Sequence, residues 1–306
     1  MTDPTDAPGG TLPRFGVRRI GRREFDFDRQ VAVMAVVNRT PDSFYDHGKT
    51  FALDRAVEAA LTADGQGADW VDIGGVPFGR GAPISPAEEI DRVVPVIEAI
   101  VAASDVVVSV DTNNGVVARA AIDAGAAVVN DTSGLGDPEM AGVIAASAAH
   151  VVITHSVGPP RVEKPPARFD DVVREVHDFL GARVERAVAA GIPRERIIID
   201  PGHDLDKNTL HTLELTRRFA DLADLGLPLL AAVSNKDFVG ESIDRPQGER
   251  LAGSLAAMVA CIERGARIVR MHDVVPSVDA VRMIEAILGM RPPVRVEHNA
   301  HPTRNV

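Results

Sequence analysis

A single cysteine, Cys261, stands in the 306 residues, inside the apolar stretch MVACI, so neither an internal disulfide nor a cysteine-rich metal site can form. The expected compartment is therefore the reducing cytoplasm. No run of Lys and Arg occurs and the formal net charge is -11, which excludes the basic footprint that a nucleic-acid groove or an anionic membrane surface needs. No apolar segment is long enough to span a bilayer, and the opening MTDPTDAPGG lacks the apolar centre of a signal peptide. A small-molecule ligand is left as the partner to look for. Residues 1–15 and 291–306 read as loose polar tails flanking one unit over 16–290.

What is present is an alternation of strand and helix patterns. Val31 to Val37 is a run of seven apolar residues, mostly β-branched, which reads as a strand covered on both faces and stops at Asn38. Further strands are expected at Trp70 to Ile73, Val106 to Val110, Ala127 to Val129, Val151 to Ile153, Ile197 to Ile199, Leu229 to Val233 and Ile268 to Met271. Helical spacing fills Phe51 to Gly67, Asn114 to Ala124, Pro138 to Ala148, Asp170 to Ala190, Thr209 to Leu225, Gln247 to Arg264 and Pro276 to Leu288. Another helix starts at the Ser85, Pro86 and Glu88 cap signature and runs to about Ala103. About eight strand-plus-crossover units are the count of a (β/α)8 TIM barrel. An open doubly wound sheet would carry a glycine-rich phosphate turn after its first strand, and NRTPDS is not one.

Nearly every predicted strand has a polar residue at or near its carboxyl end: Asn38, Asp72, Asp111, Asn130, His155, Asp200, Lys236, and Arg270 with His272. A barrel gathers these at one mouth. Each alone reads as a helix cap or turn former, and for Asp72, Asp131 and Ser133 that reading is preferred. Capping does not explain a Lys, an Arg and two His at the same end. Asp111, Asp200 and Asn130 suit a flat heterocycle offering N–H donors, Lys236 a ring carbonyl or nitrogen, and Arg270 and His272, with Asn38, an anionic leaving group.

Seven motifs in order, NRTPDSFYDHG, DIGG with a Gly-rich loop, VSVDT, VVNDTSG, IDPG, SNKDFVG and VRMHDV, resemble the dihydropteroate synthase family from about Val31 to Leu288. The resemblance implies a TIM-barrel transferase that joins 6-hydroxymethyl-7,8-dihydropterin pyrophosphate to p-aminobenzoate in folate biosynthesis. It places the pterin on Asp111, Asn130, Asp200 and Lys236, with Asp111 and Lys236 in the catalytic roles, and the pyrophosphate on Asn38, Arg270 and His272. Asn38 would also help hold Mg²⁺, an ion that keeps most of its ligands as waters and phosphate oxygens. The family often forms homodimers through late helices, where Met258, Ile262, Val281 and Ile284 are available, although core packing explains them equally well.

The departures fall on the arylamine side. Arg39 replaces a Val of the first loop, and VPFGRGA replaces ESTRPGA in the second, displacing Arg80 by one residue. SNKDF replaces SRKSF, so Asn235 and Asp237 stand where an Arg and the p-aminobenzoate-binding Ser are usual. Asp237 is expected to cap the helix there and repel the p-aminobenzoate carboxylate. That repulsion is about 1–4 kcal/mol for charges about 4 Å apart. HDLDKN replaces IGFGKT, adding Asp204 and Asp206. The pattern suits a diverged actinobacterial-type paralogue, either a weak transferase or an inactive pterin-binding protein with a regulatory role. A metal-dependent hydrolase using His155, His203 and His272 is disfavoured, because Asn38, Arg39 and Thr40 occupy the place of a His-x-His pair.

Overall fold

The computed structural model describes residues 15–38, 49–76, 84–158 and 166–298. Eight parallel strands close into a barrel: β3 (Ala32–Asn38), β4 (Trp70–Gly74), β5 (Val107–Asp111), β6 (Val128–Asp131), β7 (His150–Thr154), β8 (Ile197–Asp200), β9 (Leu229–Ala231) and β10 (Ala266–Met271), the last pairing back onto β3. Crossover helices separate them: α1 (Lys49–Gly65), α2 (Pro86–Ala103), α3 (Gly115–Asp123), α4 (Met140–Ala145), α5 (Val172–Ala189) and α6 (Thr209–Arg217). The pair α7 (Asp237–Ile243) and α8 (Leu251–Glu263) links β9 to β10, and α9 (Val274–Ile287) follows. The TIM barrel expected from the strand count is the fold observed.

Strand alternation divides the core in two. Val71, Ile73, Val108, Val110, Val129, Val151, Ile153 and Ile199 face the helices, in one large apolar layer. Their neighbours Trp70, Val107, Val128, Val152, Ile198 and Ile268 fill the barrel interior. Two residues further along each strand the same inward phase reaches Asp72, Ser109, Asn130, Thr154, Asp200 and Arg270. The barrel is therefore apolar at its amino-terminal end and polar at its carboxyl-terminal mouth.

A two-stranded hairpin, β1 (Val17–Ile20) and β2 (Arg23–Asp26), was absent from the sequence reading and closes the apolar end. Ile20, Phe25 and Phe27 pack into the interior cluster, with Phe25 edge-on to Trp70 at 5.7 Å between ring centroids. Three helices end differently from their sequence patterns. The segment expected as one helix from Thr209 to Leu225 breaks at Arg218 into α6 and a tighter 3₁₀ turn, Phe219–Leu225, stopped by Gly226 at φ 67°. Thr216 bonds back to the Thr212 carbonyl at 2.8 Å just before the break, a local competition that weakens the last helical turn. The helix expected from Gln247 starts only at Leu251, after Pro246 and a left-handed Gly248, and the one expected over Pro138 to Ala148 shrinks to α4. Met258, Ile262, Val281 and Ile284 are all buried in the core, so none is available to a partner chain; the apolar side chains that α9 exposes are Val275, Met283 and Ile287. No helix among the described residues is long and apolar enough to cross a membrane.

Candidate functional site

The mouth is organised on Asp72, which is not the turn former expected from its residue type. It is fully buried, and its Oδ2 accepts from Arg270 Nε at 2.7 Å and from Asn130 Nδ2 at 2.9 Å. Arg270 Nη2 donates to Asp111 Oδ2 at 3.2 Å, so one guanidinium ties β10 to β4 and β5. Asp131 and Ser133, in contrast, do what was expected of them. Asp131 accepts from the Ser133 and Leu135 backbone N–H groups and shapes a turn.

Four buried polar atoms on adjacent strands have no hydrogen-bond partner among the described residues: Asp72 Oδ1, Ser109 Oγ, Asn130 Oδ1 and Thr154 Oγ1. Leaving such atoms unpaired costs about 1–3 kcal/mol each. Their concentration on β4 to β7 marks a surface made for a hydrogen-bonding ligand. Burial, then the neighbouring Asp72 charge, raises the Asp111 pKa, against the pull of Arg270.

The other half of the mouth comes from β8 and the loops after β8 and β9. Asp200 is buried, and its Oδ1 accepts from Gly202 N at 2.7 Å; burial raises its pKa, opposed by that bond and by Lys236 and Lys207. Lys236 donates to the His203 carbonyl at 2.8 Å, and burial lowers its pKa against the attraction of Asp204 and Asp200. Gly202, at φ 70°, has to be glycine, because a Cβ there would collide with the His155 carbonyl oxygen. His272 turns toward Ser234, with Nδ1 3.0 Å from its hydroxyl. Asn38 ends β3 opposite Gly74 of β4. Arg39 and Arg80 lie outside the described residues.

Sequence reasoning missed Lys207. It is buried, and its ammonium reaches His155 Nδ1 at 2.9 Å, the Gly202 carbonyl at 2.9 Å and the Leu205 carbonyl at 3.1 Å. Three donors meet three acceptors, which pins the loop between β8 and α6. Burial pushes its pKa down to about 7 despite Asp200 and Asp206, and pushes His155 down to about 3, so the imidazole is neutral and can accept. Since the folded pKa lies below the value of about 10.4 for an unfolded lysine, the unfolded chain binds more protons above pH 7 and stability rises with pH there. Below pH 7 both states carry the proton and the burial penalty is fully felt. Urea unfolding between about pH 7 and pH 8.5 should show this rise, and Lys207→Met should flatten it. Above that window the buried Cys261 thiol, pushed up to about 12, works in the opposite direction.

Of the expectations about the histidines and Asp237, only the one for Asp237 changes. His203 is fully buried, stacked near Phe219 and Phe238 at 5.8 and 6.2 Å, and does not converge with His155 and His272. Among the described residues no group of three His, Cys, Asp or Glu side chains could hold a metal ion. Asp237 does not cap α7. It is the first residue of that helix, the cap position is Lys236, and the Asp237 side chain is 85% exposed and paired with Arg250 Nη1 at 2.9 Å. The carboxylate that does face the start of α7 is Asp204, whose Oδ2 accepts from the Phe238 backbone N–H at 3.2 Å. Asn235, at φ 57°, donates its N–H to Ser254 and accepts from Gly248, so it serves the loop rather than the cavity.

Comparison with known proteins places this geometry among relatives. The family model described as pterin binding enzyme matches residues 34–272. A Mycobacterium leprae protein named inactive dihydropteroate synthase 2 is 44% identical over 278 residues, covering 88% of this chain and 94% of its own. The dihydropteroate synthase of Escherichia coli is 37% identical over 266 residues, covering 87% and 94%. The solved dihydropteroate synthase of Xanthomonas albilineans with 4-aminobenzoic acid superposes with a TM-score of 0.82 at 39% identity, over 90% of this chain and 98% of that one.

Proposed function

The chain belongs to the pterin binding enzyme family, among the dihydropteroate synthases, and on that premise we propose that it binds a pterin pyrophosphate while its own Asp204 holds the place meant for the arylamine carboxylate. The observation that carries this reading is the Asp204 bond to the Phe238 N–H. In the family pattern the serine at the position of Asp237 receives the p-aminobenzoate carboxylate beside these backbone donors. Here an internal carboxylate already satisfies one of them. Relatives 44% and 45% identical to the chain are named inactive dihydropteroate synthase 2, which supports weak or absent turnover.

The pterin half is complete by chemistry. A flat ring with N–H donors answers the unpartnered Asp72 and Asn130 oxygens, Asp200 accepts from the ring, and Lys236 donates to a ring carbonyl or nitrogen. Arg270 and His272 serve the anionic group, with Arg270 oriented for it by Asp72 and Asp111. Asn38, the last residue of β3, is the residue the family resemblance offers to a Mg²⁺ ion, which takes few protein ligands and would neutralise charge on a leaving pyrophosphate. If condensation occurs, the methylene C–O bond breaks first with its electron pair leaving on pyrophosphate, the arylamine nitrogen then bonds the cationic methylene carbon, and the proton it loses passes to the released pyrophosphate or to water. Asp111, in the ionised form that Arg270 favours, then offers negative charge to the developing cation.

Titration calorimetry with the pterin pyrophosphate should give saturable binding, and a pyrophosphate-release assay with added p-aminobenzoate should give turnover at least about a hundredfold below an active relative. Turnover equal to that of the relative would overturn the reading.

A further inference from the structure

At the end of the barrel opposite the mouth, the hairpin, the first residue of β7 and the turn before β8 border an open cavity of about 460 Å³, whose lining includes Arg18, Arg19, Arg196 and His150. Glu195 is the one carboxylate in that lining. In a chain of net charge -11, three arginines in the lining of one cavity need a reason.

Structural demands use only part of them. Arg18 is buried and donates from Nη1 alone, to the carbonyls of Glu195 at 2.7 Å and Ile197 at 3.2 Å; its Nε is buried without an acceptor. Arg196 likewise bonds from Nη1 alone, to the carbonyls of Ile144, Ser147 and Ala149. These bonds fix both guanidiniums in place while leaving other N–H groups uncommitted among the described residues. Arg19, on the same strand as Arg18, is exposed at the rim. Glu195 is the one acidic group in the lining to set against three arginines, and fixed, forked donors are what phosphate oxygens select.

We infer that this cavity is a second ligand site, separate from the mouth, for a small phosphate-bearing anion held between Arg18, Arg196 and Arg19. The volume exceeds that of an inorganic phosphate and admits a compact organic substituent, within the usual size of small-molecule sites. The site does not depend on what the mouth binds.

His150 supplies a local reporter. It is buried, and burial followed by the Arg18 and Arg196 charges pushes its pKa down to about 4; Glu195 is the neighbouring acid in the cavity wall. An anion seated among the guanidiniums favours the imidazolium, and opposite charge at this range shifts a pKa by about 1–3 units. The test is an NMR titration of the full chain, following His150 in sodium phosphate and in sodium chloride at equal ionic strength. Phosphate should raise the His150 pKa saturably by about one unit or more beyond chloride, and Arg19→Ala should weaken the apparent affinity by about tenfold. Equal titration in both salts, or a phosphate response unchanged by Arg19→Ala, overturns the proposal. Phosphate binding at the mouth is read separately on His272.

Discussion

Replacing Arg270 by methionine is expected to cost about 3–5 kcal/mol of folding stability, the usual consequence of stranding a buried charge. Pterin pyrophosphate affinity should fall about a hundredfold or more, from the loss of about two charged hydrogen bonds. The structural part follows from Asp72, which is fully buried and would keep only Asn130 as a partner, with its Oδ1 still bare. The binding part follows from the direction of the guanidinium, aimed by Asp72 at 2.7 Å and Asp111 at 3.2 Å. A second substitution separates the two. Arg270→Met with Asp72→Asn removes the stranded charge, so urea unfolding should recover most of the lost stability while calorimetry still finds weak binding. Recovery of both together would mean that Arg270 acts only as a strut, and wild-type stability in the single variant would mean that Asp72 is not held as an anion.

The alternation in which Trp70, Asp72 and Gly74 share one phase was legible in the sequence, and so was the order of the strands. Residue type alone makes Asp72 a turn former, whereas its phase with Trp70 makes it an inward-facing residue of the mouth. The same phase count puts Ser109 above Val107 and Thr154 above Val152, and it separates Asn130 from Asp131 on adjacent positions of β6. The hairpin escaped because its strands are four residues long and rich in arginine, and its apolar side chains gain meaning only once a barrel end exists for them to plug. Asp237 was assigned the wrong task for a related reason. Its pairing with Arg250, thirteen residues away, is a tertiary contact that no local pattern displays. The departure at HDLDKN did carry a local signal. Asp204 and Asp206 sit at φ 62° and 55°, where the family pattern has glycine, so the loop kept a left-handed backbone and gained two carboxylates on it.

That retained backbone makes Asp204→Gly the informative variant at the other half of the mouth, with an expected gain of about tenfold or more in p-aminobenzoate affinity. Glycine adopts φ 62° without strain, which offsets the loss of the Asp204 bond to Phe238, and the loop stays anchored by the Lys207 ammonium. The Phe238 N–H is then free for an external carboxylate, and a half-buried acidic group facing that carboxylate is gone. Burial raises the Asp204 pKa, with Lys236 and the backbone N–H groups of Phe238 and Asp237 pulling it back down, so acidification should mimic the variant in part by neutralising the side chain. Asp204→Asn keeps an oxygen in the same place and should gain little. Asp237→Ser should also gain little, since Asp237 is 85% exposed and already neutralised by Arg250. Equilibrium binding of p-aminobenzoate to the pterin-loaded protein distinguishes the three: a larger gain from Asp237→Ser than from Asp204→Gly would restore the exposed carboxylate as the cause and remove Asp204 from the argument.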